Sequence, residues 1–370
     1  MRLWIIGNGF DLHHGLKTRY EDYKVFLCHL HACELAKERR KSQSQKSSGT
    51  VCGNCCNRSI NTDCPVRKFN ELPRSGSRGG LWRDLEEACA IDLDRLMDRL
   101  KGEWVGGSGR PEDSAAIGLL HGNLGFAKTF TGHEFYEWLC TVEEPLSKEN
   151  QKRLDVDEGD LFITFNYTRT LQKVYNISDD QIFYVHGNLK DVAEKLENTP
   201  QESRSISKSG IARSCLIFGS PKITDASIKD AIDYYVTLQK TSEEQAKALR
   251  DYLAQLSRFL RKDVSDGLNR IEKLVIRRCG DQSSLTEVVV AGHSLGKNDS
   301  PYFDYLAESF RYVKWRFLFF SRDDLRNALE FCEQHGLHGC YMPWDTADMD
   351  FSPCPVDRRI PYPEPCECNG

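Results

Sequence analysis

The sequence predicts an α/β protein with a mostly parallel sheet that is covered by helices on both faces. Short apolar runs typical of buried strands alternate along the chain with amphipathic, helix-forming stretches. Most of these runs stop at a glycine or a small polar residue. Because ligands of such sheets bind at the carboxyl ends of the strands, we expect a ligand pocket at that edge, lined by these glycines and polar residues.

The strand candidates are short, rich in β-branched and aromatic residues, and followed by polar turns. The first of them is followed at once by two closely spaced glycines, Gly7 and Gly9. The predicted strands are residues 3–6, 161–165, 182–185, 215–218, 287–291, 313–320 and 339–342.

Helix signals occupy the intervals between these strands. Thr18 and Glu21 have the spacing of a capping box, which predicts a helix that starts near Thr18. Ser300 followed by Pro301 is typical of a helix start, and Ser321 is a second N-cap candidate, for a helix that runs to about residue 334. The remaining predicted helices cover about residues 81–100, 134–139 and 228–278.

The chain has 370 residues, which is long for one plain domain and predicts a core with insertions. A Ser-, Gly- and Cys-rich stretch at residues 41–80 cannot bury a core by itself. The expected units are a core at residues 1–27 and 156–345, a helical excursion within it at 228–280, a helical insertion at 28–155 that contains the Cys-rich stretch, and a Cys/Pro-rich tail at 346–370.

Charge and composition narrow the function classes. The net charge of −5 gives no strong signature of nucleic-acid binding. No run of 18 apolar residues exists, so we expect no membrane span, and the first apolar run is too short for a signal peptide. Fifteen cysteines without a secretion signal indicate a reducing compartment, so a cytoplasmic location is expected.

Polar side chains at the strand ends are the candidates for chemistry. Asn166 and His186 follow strands that are close in sequence, so we expect them to be neighbours. An amide can orient a water or a ribose hydroxyl, and an imidazole can accept a proton near neutral pH. Gly7 and Gly9 allow a tight turn whose backbone N–H groups approach a phosphate, although Leu12 stands where a third glycine is typical. The alternatives are a plain glycine turn and a structural histidine.

Gly292 to Gly296 reads GHSLG and matches the nucleophile elbow of serine hydrolases. An elbow needs a helix that starts at the serine, and here the helix signal comes only at Ser300 and Pro301. A serine hydrolase using Ser294, with a later aspartate and histidine as partners, therefore stays the less favoured alternative. We expect Ser294 to contact a ligand.

A cluster of cysteines in the insertion has the spacing of a metal site. Thiolate pairs separated by two residues suit tetrahedral zinc, and zinc would order a Gly/Ser-rich stretch. Cys28, His29, His31 or Cys33 are candidates to complete the site. An iron–sulfur cluster and unligated thiols are the alternatives. The predicted zinc ligands are Cys52, Cys55, Cys56 and Cys64.

Four of these strand-end segments, taken in order, resemble the AbiH family of bacterial abortive-infection proteins. They are residues 5–18, which begin IIGNGFDLHHG, then 165–171 (FNYTRTL), 185–187 (VHG) and 292–295 (GHSL). The series is also similar to the wider SIR2-like group of nucleotide-binding domains. The resemblance implies a Rossmann-like (SIR2-like) fold and an NAD-type nucleotide as substrate or ligand.

The resemblance also implies roles for particular residues. Asn166 and His186 would serve catalysis. Asp11 is a further catalytic candidate by its position beside the first turn, where it would contact ribose or water, or cap the following loop. The implied function is an anti-phage effector that cleaves the nicotinamide–ribose bond of NAD, with a homo-oligomer or a phage-derived trigger as partner. The implied nucleotide contacts are Gly7, Asn8, Gly9, Phe10, Asp11, Tyr167, Gly187, Gly219, Gly292, His293 and Ser294.

Two departures from the SIR2-like pattern favour a protein that senses a nucleotide without turnover. The first loop carries Asn8 and Phe10 where a Gly-Ala-Gly start is usual, and Thr168 stands where many relatives have an aspartate. Ligand binding without product formation would distinguish this alternative from the NAD hydrolase.

Overall fold

The computed structural model describes two long blocks of the chain and several shorter ones. All structural statements below concern these residues. They are residues 1–23, 25–27, 29–30, 132–144, 146, 154–217, 262–279 and 285–344, with scattered positions between 225 and 257.

A six-stranded parallel sheet forms the centre of the described protein, in the order β3-β2-β1-β4-β5-β6. The predicted α/β fold is therefore confirmed, and every pair of neighbouring strands is parallel. This order is that of the Rossmann fold, whose chain reverses direction across the sheet between the first and fourth strands. The strands are β1 (Arg2–Ile6), β2 (Leu161–Thr164), β3 (Ile182–Tyr184), β4 (Glu287–Ala291), β5 (Lys314–Phe319) and β6 (Gly339–Pro343).

Helices flank the sheet, and a 3-10 turn at Asp179–Gln181 precedes β3. A further helical stretch begins at residue 20. The other helices are α1 (Asn8–His13), α2 (His133–Glu143), α3 (Thr170–Tyr175), α4 (Leu189–Glu197), α5 (Gln201–Cys215), α6 (Val264–Cys279), α7 (Ser300–Ser309) and α8 (Arg322–His335).

Two hydrophobic clusters cover the two faces of the sheet, because alternate residues of a strand point to opposite sides. Trp4 and Ile6 of β1 belong to the cluster that takes in side chains of α1 to α5. Leu3 and Ile5 belong to the cluster that takes in side chains of α6, α7 and α8. Burial on both faces explains why β1, β2 and β4 are apolar along almost their whole length.

Asp160 ties the amino edge of the sheet together, directly before β2. Its carboxylate accepts hydrogen bonds from the backbone N–H (2.8 Å) and Nε (2.9 Å) of Arg2. It also accepts from Nε1 of Trp4 at 2.8 Å and from the backbone N–H of Asp157 at 3.0 Å. The start of β1 is thereby fixed to the start of β2, at the end of the sheet opposite to the predicted site.

Several boundaries differ from the sequence predictions for identifiable reasons. The predicted strand at 215–218 is wrong in its described part, because Cys215 is the last residue of α5 and Leu216 and Ile217 form no strand. These residues are apolar because Cys215 and Leu216 are buried beside the end of β3, where the Ile217 N–H donates to the His186 carbonyl at 2.8 Å.

The helix predicted to start near Thr18 begins at residue 20, and the short helix α1, which begins at Asn8, was not predicted. The predicted helix at 228–278 is interrupted at residues 262–263. The capping box at Ser321 is confirmed, whereas the N-cap of α7 is Asp299, one residue before the predicted Ser300.

Some predictions lie outside the described residues. These are the helix at 81–100, Gly219, the zinc ligands Cys52, Cys55, Cys56 and Cys64, and the tail at 346–370. Within the described part of the chain, no helix is long and apolar enough to cross a membrane.

Candidate functional site

The carboxyl edge of the sheet brings four of the predicted strand ends together. Ile6 lies opposite both Thr164 of β2 and Ala291 of β4, so the residues that follow leave the sheet at the same level. Asn166 Nδ2 donates to the Gly7 carbonyl at 2.9 Å, which joins the ends of β2 and β1. The parallel register therefore places the predicted site residues at one edge.

Asp299 gathers two of the histidines at this edge. Its Oδ1 lies 3.2 Å from Nε2 of His186, which follows β3, and its Oδ2 lies 3.3 Å from Nε2 of His293, which follows β4. Lys262 Nζ lies 2.6 Å from Asp299 Oδ1, and its side chain is only 1% exposed. We call Lys262, His186, His293 and Asp299 the Asp299 cluster.

The electrostatics of the cluster keep His186 neutral. Burial, followed by the positive charge of Lys262, lowers the pKa of His186 to about 4, although the Asp299 carboxylate opposes this shift. Burial alone would raise the pKa of Asp299, but Lys262 and the hydrogen bonds from the two imidazoles outweigh it and hold that pKa well below its ordinary value. At neutral pH the cluster thus holds a carboxylate, an ammonium group and an uncharged His186.

The segment after α5 packs against His186 and Gly187. Gly187 has φ +80, and a Cβ there would overlap the carbonyl oxygen of Cys215. Tyr167 donates its hydroxyl to the Ile217 carbonyl at 2.8 Å, and its ring centroid lies 5.8 Å from that of His186. Gly187 is therefore needed here for a close backbone approach, and Tyr167 forms one wall beside the imidazole.

The first glycine turn is packed against the loop after β4. The Gly7 N–H donates to the Ala291 carbonyl at 3.0 Å, and the Gly9 N–H donates to the Gly292 carbonyl at 2.8 Å. The Phe10 N–H donates to the Gly7 carbonyl at 2.9 Å. A Cβ on Gly7 would lie 2.5 Å from His293 Cα, so this glycine is required by the contact between the two loops.

Each of these three N–H groups already donates to a carbonyl in the described structure, so a pyrophosphate would have to replace those partners. The other predicted contacts of this segment are also engaged within the protein. Asn8 Nδ2 donates to the Thr18 carbonyl at 3.1 Å, and the ring of Phe10 is buried 4.4 Å from that of His14. The two loops therefore form a closed contact at the point where the strand order reverses.

Asp11 lies in the first turn of α1 and is 1% exposed. Its two carboxylate oxygens accept hydrogen bonds from the Thr168 hydroxyl at 2.6 Å and the Thr170 hydroxyl at 2.7 Å. Burial raises the pKa of Asp11 to about 6, although the two threonine hydrogen bonds oppose the shift. Thr168, where an aspartate is frequent in the SIR2-like pattern, therefore serves here as a donor to Asp11.

We expect Asp11→Asn to stabilise the protein at pH 8. A carboxyl whose folded pKa is raised contributes stability below its ordinary pKa, and that contribution is lost as pH rises through about 6. The neutral amide avoids this loss, so the variant should exceed the parent by about 1–3 kcal/mol at pH 8 and match it near pH 4. Urea unfolding at both pH values measures this difference.

Asp323→Asn, at a side chain 58% exposed, is the control. A difference that does not change with pH would contradict the prediction.

Ser294 does not have the surroundings of a nucleophile. Its carbonyl accepts from Asn327 Nδ2 at 2.9 Å, and α7 begins only at Ser300. Among the described residues, no histidine lies within hydrogen-bonding distance of the Ser294 hydroxyl, and His335 instead pairs with Asp304 at 3.1 Å. The strand-to-helix elbow is therefore not formed, while Gly292, with φ +68, serves the closed contact.

Sequence reasoning missed Asp299 and Lys262. Asp299 directly precedes the helix start that the sequence did indicate, so an N-cap prediction one residue earlier would have drawn attention to it. No sequence signal distinguishes Lys262 from the other lysines of its charged segment. In the part of the chain that the structure describes, no group of three or more His, Cys, Asp or Glu side chains could hold a metal ion.

The strand order and the polar strand ends define a Rossmann-like α/β protein with a candidate ligand site at the carboxyl edge of its sheet. The chain belongs to the AbiH family, since the family model described as "Bacteriophage abortive infection AbiH" matches residues 3–320, from β1 to just past β5. This membership gives the protein a role in phage abortive infection. Neither a search of curated proteins nor a search of solved structures found a match.

Proposed function

We propose that this AbiH protein is an abortive-infection effector that binds an NAD-type nucleotide at the carboxyl edge and hydrolyses its nicotinamide–ribose bond. One observation carries the proposal: Asn166 and His186 each stand two residues beyond a register-matched pair of adjacent strands, Thr164 of β2 and Tyr184 of β3. Both side chains are buried at the edge where sheets of this order bind dinucleotides.

The state of His186 suits a proton acceptor. Its imidazole is uncharged at neutral pH, because burial and Lys262 lower its pKa. A neutral imidazole can take a proton from water or from a ribose hydroxyl as positive charge develops on the sugar. A pKa of about 4 makes it a weak base, so in this proposal most of the rate gain has to come from positioning of the water or hydroxyl.

Asn166 is held so that its amide can orient that water or hydroxyl. Its Nδ2 donates to the Gly7 carbonyl at 2.9 Å, which fixes the NH₂ side of the amide and leaves the amide oxygen as the acceptor. The Asn166 amide also slightly lowers the pKa of the Asp11 carboxyl. In this proposal Asp11 therefore assists Asn166 at the carboxyl edge.

The closed contact favours a second candidate, a protein that senses a nucleotide without cleaving it. Because the N–H groups of Gly7 and Gly9 donate to the carbonyls of Ala291 and Gly292, a pyrophosphate could accept from them only after the first glycine turn separates from the end of β4 and the loop that follows it. Such an opening would be a binding-coupled signal and requires no chemistry. It would also give a phage-derived trigger a specific target.

Incubation of the full-length protein with NAD, with and without an extract of phage-infected cells, tests the two candidates. We expect nicotinamide release, followed by chromatography, to fall by about 10²-fold or more in His186→Gln and in Asn166→Ala. His335→Gln is the matched control, because His335 pairs with Asp304 between α8 and α7, outside the Asp299 cluster. Calorimetric NAD binding without release would establish the second candidate, and neither binding nor release would overturn both.

A further inference from the structure

Asp299 connects three segments of the chain at the carboxyl edge. Its carboxylate contacts donors from three separate segments: the ends of β3 and β4 and the residue pair before α6. Its backbone is fixed as well, because its N–H donates to the Gly296 carbonyl at 3.0 Å and its own carbonyl accepts from the Tyr302 N–H at 3.0 Å. A carboxylate held in this way imposes a fixed geometry on the groups around it.

The hydrogen bonds define the protonation of both imidazoles. His293 Nδ1 accepts the Leu295 N–H at 2.9 Å, so in the neutral ring Nε2 carries the proton that faces Asp299. Asp299 is ionised and can only accept, so the neutral His186 presents Nε2–H to it. Nδ1 of His186 then carries the lone pair, and no hydrogen-bond partner for this atom occurs among the described residues.

Lys262 allows Asp299 to orient the imidazole of His186 without making that imidazole more basic. An unbalanced carboxylate beside a histidine favours the imidazolium form. Here the Lys262 ammonium lies 2.6 Å from the same Asp299 oxygen that faces His186 and neutralises its field. The pair therefore aligns the ring of His186 and fixes its tautomer without charging it.

We propose that Asp299 is the positioning residue of His186: it holds the imidazole as the Nε2–H tautomer, so that Nδ1 is the atom that accepts a proton from water or a ribose hydroxyl, while Lys262, at 2.6 Å from the same carboxylate oxygen, balances its charge. The use of Nδ1 in catalysis rests on the proposed function. The tautomer is a property of the protein alone and can be measured without any nucleotide.

The direct test is nitrogen–proton correlation NMR of the full-length protein with ¹⁵N-labelled histidine at pH 7. His186→Gln assigns the signals. We expect His186 to show a protonated Nε2 and an unprotonated Nδ1 in the parent protein. A protonated Nδ1 in the parent would overturn the inference, and the only variant that this measurement needs is the folded His186→Gln protein for the assignment.

Three variants separate the orientation of the His186 ring from its charge. Asp299→Asn should give a mixture of His186 tautomers, because an amide can present either a donor or an acceptor, whereas Asp299→Glu should largely restore the Nε2–H form. Lys262→Met should leave the tautomer unchanged but move the NMR titration midpoint of His186 upwards from about 4. A single unchanged tautomer in folded Asp299→Asn would show that Asp299 does not position the ring.

Turnover distinguishes failure of this inference from failure of the proposed function. If NAD is cleaved, Asp299→Asn should reduce kcat by about 10²-fold with little change in KM, and Asp299→Glu should recover part of the loss. If the parent has the predicted tautomer but releases no nicotinamide, the proposed NAD hydrolysis is refuted. The inference that Asp299 positions His186 is then still supported. Unchanged kcat in Asp299→Asn, with NAD cleaved, would overturn the positioning role.

Discussion

Gly292→Ala is expected to destabilise the protein by roughly 3–5 kcal/mol, because it combines a left-handed backbone with a collision against other backbone atoms. Gly292 has φ +68, and an added Cβ would meet the Phe10 nitrogen, the Gly9 carbonyl carbon at 2.6 Å and Gly9 Cα at 2.8 Å. Backbone atoms of α1 cannot rotate aside as the end of a side chain can. The substitution therefore forces the loops after β1 and β4 apart.

Gly15→Ala measures the cost of the left-handed backbone conformation without the collision that Gly292→Ala adds. Gly15 has φ +78, and a Cβ there would meet nothing within 4 Å, so only the cost of the left-handed conformation remains, about 1–2 kcal/mol. Urea denaturation of the parent and both variants gives the two free energies of unfolding. Equal losses at the two positions would refute the closed contact between the loops.

Asp160→Ala is expected to cost about 3–5 kcal/mol at neutral pH, since it removes the acceptor for the donors that tie β1 to β2. The Asp160 side chain is fully buried, and its Arg2 and Trp4 partners would be left without their charged acceptor. Asp157→Ala is the matched control. Its side chain is 75% exposed and also pairs with Arg2, at 3.0 Å, so its removal should cost at most about 1 kcal/mol.

The cost of Asp160→Ala should depend on pH in a defined direction. Burial raises the pKa of Asp160, but hydrogen bonds from Arg2, Asp157 and Trp4 outweigh it and hold the pKa below its ordinary value. Such a carboxylate contributes stability above its ordinary pKa and loses it as pH falls through the folded value. The gap between the parent and Asp160→Ala should therefore narrow below about pH 4. A gap that stays constant down to pH 2.5 would argue against an ionised, hydrogen-bonded Asp160.

The sheet could be predicted from the sequence because its strands are buried on both faces and therefore read as continuous apolar runs. Residues 287–291 were predicted to the residue, and Asn166, His186 and His293 were expected at the carboxyl edge. The segment at 215–218 is the counterexample, since Cys215 and Leu216 are buried by packing beside the end of β3 without joining the sheet. Burial alone therefore does not distinguish a strand from a segment that covers one.

The glycines show a second limit of sequence reasoning. Gly7, Gly9 and Gly292 are typical of a turn that approaches a phosphate, but here they permit two loops of the same chain to touch. A close approach to a phosphate and a close approach to another loop both require a residue without a Cβ. The presence of glycine in the sequence therefore does not distinguish the two. Asp299 and Lys262 escaped prediction because their partners are distant in the chain: Asp299 pairs with His186 across a sequence separation of 113 residues.

The pairing of β1 with β4 has a consequence for the order in which the protein is made. Arg2 lies opposite Glu287, so β1 leaves the ribosome long before one of its two neighbours exists. A nascent chain can join β1 to β2 and β3, and it then carries Asn166 and His186 but neither His293 nor Asp299. The Asp299 cluster can therefore form only after more than three quarters of the chain has been synthesised, when β4 and the residues up to Asp299 are available to join the first three strands.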